Sequence, residues 1–496
     1  VTTTTPSEVR RRSLRDRVAT VDVRDPTVIA IAILTVFAFF LRFSQIHQSL
    51  FGDETFTYSD IYGKSFRAVL SNVHTGGENS PPLFFLLAWA TAKLGNATVW
   101  IRLFSIILGA ATIPVIYLIG RETVGRRAGV VAGAIVALSP FSFYYGVEAR
   151  PYASMAFFVA LSTWALLRAV RHGGIWWWAL YAAAAAAAAY CHYTCIFVLI
   201  AEGIWSLWVC RDRIRAPLIA AVGAIVLYTP WLPKLRGKEL GVIGALEPLT
   251  AHNVITDLMR PIGGYPYAPL SAIPTYLGLG LLIACFVVGF GACALKARRD
   301  GGLIRLDSWP PHFWLLVTLA LTTPVGLFLY SDTTTDLWLA RGLYASMPAA
   351  ALLLGAALVA IPRPVNLVAV VVVLGTLTVG TVRAASPSWR RPPFRSVAAY
   401  VDRTSSPQDP VAIVSFIGQP AIAEQLQKPH RSATILDVWK LTPPGGKAFV
   451  VLDDRYAHAL KLPDIPPAPK GFRLIAHRHF FSAILPSDVS VYRRVG

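Results

Sequence analysis

TVWIRLFSIILGAATIPVIYLIG fills positions 98–120 with a single charged residue, Arg102, and RETVGRR follows at positions 121–127. A helix crosses bilayer hydrocarbon in about 20 apolar residues, so the first stretch reads as a membrane span and the second as a basic loop. The pairing recurs along the chain. Basic loops lie at Arg168–His172, Arg211–Arg215, Lys296–Arg305 and, weakly, Pro362–Pro364, and a tail bearing Arg10, Arg11, Arg12, Arg15 and Arg17 opens the sequence. Lys and Arg mark cytoplasmic loops, so all of these belong on one side. About eleven spans satisfy that condition. They run over 27–46, 98–120, 127–144, 152–170, 175–191, 194–210, 216–233, 271–295, 312–330, 341–361 and 365–382. The chain is therefore expected to be an α-helical polytopic membrane protein. Parity puts 47–97, 145–151, 234–270, 331–340 and everything after 383 outside.

Composition agrees. Of 496 residues, 55% are hydrophobic and 15% charged, where a soluble domain carries about 25% charged residues. The net charge of +19 does not point to nucleic acid, because Lys and Arg fall in short clusters between apolar runs. Anionic headgroups of membrane lipids or a lipid phosphate are the expected partners. Cys191, Cys195, Cys210, Cys285 and Cys293 all lie in or beside apolar runs, so no disulfide framework is expected. Cys191 and Cys195 are about one helical turn apart, which is not read as a metal site. The first apolar run, Val28–Leu41, follows the basic tail with no small-residue cleavage site, and reads as a retained span.

Pro82–Leu94 is too short to cross and is read as a helix on the outer membrane surface, as is Ile61–Leu70; a short extra span is the alternative for the first. After Arg383 the pattern changes. Pro387, Pro392 and Pro393 make a stiff junction. Helical patterns at Phe394–Arg403 and Ala421–Gln427 alternate with strand patterns at Val411–Phe416, Ala448–Asp453, Phe472–His477 and Val489–Arg493. This predicts a small extracytoplasmic α/β domain. The expected division is a cytoplasmic basic tail over 1–26, a transmembrane domain over 27–383 and the α/β domain over 384–496. The run Ala182–Ala189 is helix-forming in lipid.

The ionisable residues gather on the outer loops. Phe51-Gly52-Asp53-Glu54 sets two carboxylates just past the first span, where partial desolvation should raise a carboxyl pKa and make it a base. A solvated loop pair or a helix cap is the alternative. Glu148-Ala149-Arg150-Pro151-Tyr152 is a short second loop. Arg150 there is suited to hold a phosphate bidentately, unless it pairs locally with Glu148. Arg102 opens the second span at the outer boundary, where a lipid phosphate would lie; snorkelling to headgroups is the alternative, as it is for Arg42, His47 and Arg341. His192 and Tyr193 sit at the outer end of the fifth span, where they line a site or join an aromatic belt. Glu202 lies mid-span, where a carboxylate is costly and by default functional or paired; the sequence names no partner for it. A transporter places its charges near the midplane, whereas an enzyme working on a lipid headgroup places them at the surface.

These pieces resemble the GT-C membrane glycosyltransferases, specifically the protein O-mannosyltransferase and aminoarabinose-transferase-like branch, with wording similar to actinobacterial members. The resemblance covers roughly residues 30 to 350. It rests on Phe51-Gly52-Asp53-Glu54, Asn79-Ser80-Pro81-Pro82-Leu83-Phe84-Phe85, Trp100-Ile101-Arg102-Leu103-Phe104-Ser105, Tyr117-Leu118-Ile119-Gly120-Arg121, Ser139-Pro140, Glu148-Ala149-Arg150-Pro151-Tyr152 and His192-Tyr193. It implies a polyprenyl-phosphate sugar donor and a glycan, glycolipid or protein acceptor on the outer face of the plasma membrane. It puts the catalytic carboxylate at Asp53, with Glu54 and Glu148 beside it, and a lipid-phosphate arginine at Arg102. Arg150 and Arg341 are expected to join Arg102 on the phosphate, and Asn79, Tyr152, His192 and Tyr193 to line the substrate. Many relatives carry His or Lys before the Pro-Pro pair, where this chain has Asn79-Ser80. No cofactor is assigned, and a divalent cation at Asp53 and Glu148 is left open. A lipid-linked sugar flippase and an inactive scaffold of an envelope-assembly complex are the other readings.

Overall fold

Asp25 starts the first long helix by accepting the Thr27 N–H at 2.9 Å, with Pro26 in the first helical position. This helix, α1, is Pro26–Phe43. Four short helices fill the first loop: α2 (Asp53–Ile61), α3 (Phe66–Thr75), α4 (Leu83–Ala92) and α5 (Ala97–Trp100). Then come α6 (Leu103–Thr123), α7 (Arg126–Leu138), α8 (Pro140–Val147), α9 (Tyr152–His172), α10 (Ile175–Cys191), α11 (Cys195–Val209) and α12 (Arg215–Tyr228). The bundle ends with α13 (Ala251–Gly263), α14 (Pro311–Thr333), a 3-10 turn at Ala340–Ser346, α15 (Met347–Ala360) and α16 (Val365–Ala385). The computed structural model describes residues 24–75, 80–235, 249–263, 310–334, 336–386, 392–414, 418–453, 468–481 and 486–495.

Among the described residues, seven helices are long and apolar enough to cross a membrane, and the bent pair α7–α8 makes eight. The chain is a multi-pass membrane protein. Its outer helices leave whole apolar stripes exposed: Ile29, Ile33, Val36, Phe37 and Phe40 share one face of α1. A face of that kind has lipid as its solvent. The expected spans at 175–191 and 194–210 form apolar helices of 17 and 15 residues, shorter than a full crossing. The span expected at 271–295 lies outside the described residues. The expected surface helix at Pro82–Leu94 is α4, about 15 Å long at 1.5 Å per residue. Ile61–Leu70 is not one helix, because the chain turns at Tyr62–Ser65 between α2 and α3.

The break between α7 and α8 bends the chain by 60°. Pro140 causes it by lacking an N–H, which leaves the Val136 carbonyl four residues earlier without a helical donor. Ser139 caps the new helix by accepting the Ser142 N–H at 3.3 Å. The guanidinium of Arg42 takes the stranded carbonyl, donating through Nη2 to Val136 O at 3.2 Å and through Nη1 to Ala38 O at 3.1 Å. Arg42 is wholly buried against the backbone of Gly146, where a methyl group would collide with it. Snorkelling is thus not its role. Glu202 is also buried, and its partners are the hydroxyls of Ser162 (3.0 Å) and Thr163 (2.6 Å) on α9.

Ion pairs sort the two ends of the bundle. Arg126 meets Asp25 at 2.8 Å and Arg168 meets Glu122 at 3.2 Å, so the start of α1, the α6–α7 loop and the end of α9 share one end. The opposite end carries a small mixed sheet. Its strands are β1 (Pro410–Val414), β2 (Arg431–Ala433), β3 (Lys447–Asp453), β4 (Phe472–Phe480) and β5 (Ser487–Arg494). The order is β2-β1-β3-β5-β4, with β1 parallel to β2 and β3, and β5 antiparallel to β3 and β4. Helices α17 (Phe394–Thr404), α18 (Gly418–Ala423) and α19 (Val438–Leu441) accompany it. The α/β unit shares one apolar core with the first loop: Phe394, Val397 and Phe449 pack with Leu50, Phe51 and Phe84.

Candidate active site

Gly52 turns the chain into α2 with φ 55° and ψ −128°, a conformation essentially confined to glycine. Asp53 and Glu54 become the first two residues of that helix, where the helix dipole favours negative charge. They face different surroundings. Glu54 and Arg102 are both fully buried and pair through two bonds, Nε–Oε1 at 3.0 Å and Nη2–Oε2 at 2.6 Å. The rest of the Arg102 guanidinium donates to Ile46 O (2.9 Å), Gln48 O (2.6 Å) and Ser49 O (2.8 Å). Glu54 Oε1 also accepts the Ala149 N–H at 2.7 Å, tying the first outer loop to the second. Every N–H of Arg102 is thus directed at a protein acceptor. The geometry makes this pair the pillar under the site; neither phosphate binding by Arg102 nor catalysis by Glu54 fits zero exposure.

Asp53 is 31% exposed and lies between two cations. Arg341, from the 3-10 turn, donates through Nη1 to Oδ2 at 2.6 Å. Arg150 Nη2 stands 3.9 Å from the same oxygen. Burial works to raise the Asp53 carboxyl, but the charges of Arg150 and Arg341 outweigh it and hold the group below the usual carboxylate range. This corrects the expected upward shift. The expectation weighed desolvation at the membrane boundary and did not include an arginine arriving from 288 residues away.

Arg150 is almost buried. It donates to Thr57 Oγ1 at 3.4 Å and sits 5.9 Å from the centre of the Phe85 ring. Thr57 follows Asp53 by one turn of α2, and its hydroxyl reaches Ala149 O at 3.0 Å. Glu148 ends α8 in extended conformation, and its carbonyl accepts the Arg150 N–H at 2.7 Å. Tyr152 is buried with its ring against Tyr145 (5.0 Å) and His192 (5.2 Å). The charges of Arg341, Arg150, Asp53 and Glu148 act on its hydroxyl. His192 shares a hydrogen bond with Thr194 Oγ1 at 2.9 Å through Nδ1. The Tyr193 hydroxyl accepts from Trp231 Nε1 at 3.3 Å. Asn79 lies outside the described residues.

The fold therefore gathers Asp53, Glu148, Arg150, Tyr152, His192 and Arg341 at the bundle end that carries the sheet, with Arg102 and Glu54 beneath them. Thr57, Tyr145 and Tyr344 belong to the same cluster and escaped the sequence reading. Thr57 had a signal in its one-turn spacing from Asp53, whereas Tyr145 and Tyr344 look like any aromatic in an apolar run. The Asp53–Glu148 pair does not fit a divalent cation: the Asp53 oxygen faces two guanidinium groups. Among the described residues no group of three or more His, Cys, Asp or Glu side chains is placed to hold a metal. The guanidinium groups of Arg150 and Arg341 are suited to an anion, although with the carboxylates of Asp53 and Glu148 the group as a whole carries no net charge.

A family model described as dolichyl-phosphate-mannose-protein mannosyltransferase matches residues 79–233. The fold is similar to that of ArnT from Cupriavidus metallidurans in the apo state, with a TM-score of 0.58 and 16% identity over 94% of this chain and 97% of that one. It is similar also to ArnT from the same organism bound to undecaprenyl phosphate, with a TM-score of 0.55 and 15% identity over 95% of this chain and 98% of that one. No curated protein matches the sequence. At these identities the likeness is one of fold, and the fold is the GT-C architecture: a helical membrane bundle with a small C-terminal sheet.

Proposed function

We propose that the protein is an inverting glycosyltransferase that moves a sugar from a polyprenyl-phosphate donor to an acceptor hydroxyl at the outer face of the plasma membrane. The observation that carries this is Asp53, a partly exposed carboxylate set between Arg341 at 2.6 Å and Arg150 at 3.9 Å at one end of an apolar bundle. The family match over residues 79–233 and the likeness to ArnT, solved with undecaprenyl phosphate, support the lipid-linked donor. The basic loops at the opposite end support an outward-facing site.

In this mechanism the isoprenoid tail lies among the helices and its phosphate meets Arg341 and Arg150. Their charge stabilises the phosphate as the bond from its oxygen to the anomeric carbon breaks. Asp53 removes the proton of the acceptor hydroxyl, whose oxygen forms the new bond to that carbon from the opposite side. Moving Arg341 from Asp53 to the phosphate relieves the carboxylate of a cation and raises its basicity when the donor is bound. Glu148, Tyr152 and His192 line the space where the sugar and acceptor meet. Arg102 and Glu54 hold the loop and touch neither substrate. The acceptor is a glycan, glycolipid or protein of the cell envelope.

The flippase reading drew on Glu202. Its carboxylate is held by Ser162 and Thr163 within a helix contact, and Arg42, likewise buried among the helices, is held by the Ala38 and Val136 carbonyls. Purified protein in vesicles with labelled polyprenyl-phosphate sugars and envelope acceptors separates the readings. The enzyme releases polyprenyl phosphate in step with acceptor glycosylation. Movement of intact donor between leaflets without release means a flippase, and neither outcome means a scaffold.

A further inference from the structure

We infer that Arg395, on the α/β unit, is a positioning residue for Asp53, so that this unit is a working part of the catalytic apparatus; the inference rests on the transfer reaction proposed above. Four consecutive carbonyls lead into the site, and all four accept from guanidinium groups. Arg102 takes Ile46 O, Gln48 O and Ser49 O from the bundle side. Arg395 takes the remaining one, His47 O, at 3.0 Å from the side of the α/β unit. Its other arm reaches Thr98 Oγ1 at 3.0 Å, and its backbone N–H, a free donor in the first turn of α17, bonds Ser49 Oγ at 2.9 Å. Arg395 thus joins the residues just before the site to α5, the short helix that leads into Arg102.

The turn so gripped is short and held at four successive carbonyls. Leu50 and Phe51 follow Ser49 into the core shared with α17, and Gly52 then fixes the turn that aims Asp53. A displacement at Ser49 has little slack to absorb it before the carboxylate. An error of about 1 Å in a catalytic group costs about 10²-fold in rate. The planar fork matters, because it spans His47 and Thr98 at once; an ammonium supplies charge without that geometry.

The test uses the full-length protein with Arg395→Ala and Arg395→Lys, and Lys440→Ala as a control on an exposed part of the same unit. Amide exchange over residues 46–54 is measured first, because it needs no substrate. Transfer from polyprenyl-phosphate hexose and pentose donors follows. Both Arg395 variants are expected to exchange faster over 46–54 and to lose about 10- to 100-fold in kcat with donor KM within about twofold. The control is expected to match the wild type. A folded Arg395→Ala protein with wild-type exchange and kcat overturns the inference. Loss of the overall fold in Arg395→Ala leaves Arg395→Lys to decide by the same criteria. A wild-type protein that transfers no sugar counts against the proposed reaction alone, and the exchange data still decide whether Arg395 holds the loop.

Discussion

Asp53 and Glu54 share a peptide bond, yet Glu54 is shut inside against Arg102 while Asp53 stays partly exposed between Arg150 and Arg341. Removing the charge of Glu54 strands a buried guanidinium, so Glu54→Gln is expected to lose about 3–5 kcal/mol of stability. Thermal unfolding in detergent measures this, and the Glu54→Leu/Arg102→Met double variant should recover part of it, since no lone charge is then buried. Asp53 is tested through pH. Its pKa is lowered by Arg150 and Arg341 against the pull of burial, so the base stays ionised as pH falls past the ordinary carboxylate value of about 3.9. Activity carried by the carboxylate is present above the folded pKa and lost below it. Arg341→Gln removes one of the cations, and the acid limb of kcat/KM should move to higher pH; an unmoved limb contradicts the pairing. The sequence already pointed to Asp53, Glu148 and Arg150, because charges directly beside the end of a span have few places to go. It could not divide the work between Asp53 and Glu54, since their partners lie 288 and 48 residues away.

At the scale of the element, α2 depends on the turn before it. A β-carbon at Gly52 meets nothing within 4 Å, so Gly52→Ala tests backbone strain alone. We expect it to cost about 1–3 kcal/mol and to depress transfer. Gly203 in α11 has equal space but no positive φ, and Gly203→Ala is expected to stabilise by about 0.5–1 kcal/mol. Parallel chemical unfolding of the two variants reads the opposite signs. Helix positions were legible because an apolar run of span length leaves few choices. Their breaks were less so: Ser139-Pro140 lies inside the expected span 127–144, and the packing of Arg42 against Gly146 and Val136 completes the 60° bend that Pro140 starts. In the α/β unit the longer strands were readable from alternation. β2, three residues at an edge, is too short to carry a period.

At the scale of the molecule, charge is divided between two ends. The end with Arg126 and Arg168 carries the positive loops that the positive-inside rule assigns to the cytoplasm, an orientation we propose, and the other end joins the carboxylate, its two arginines and the α/β unit. A single cysteine placed in the described Gly125 turn should react with a membrane-impermeant reagent only after the membrane is opened, whereas one at Gly63 should react in intact cells. The reverse pattern would turn the site inward. The account rests finally on Asp53 as the base of a sugar transfer. The most direct measurement is the initial rate of polyprenyl phosphate release from labelled donor, in the presence of acceptor, by folded wild-type and Asp53→Asn protein. The prediction is release coupled to glycosylation by the wild type and a rate about 10²–10⁴-fold lower in the variant; a folded Asp53→Asn protein that transfers at the wild-type rate would contradict it.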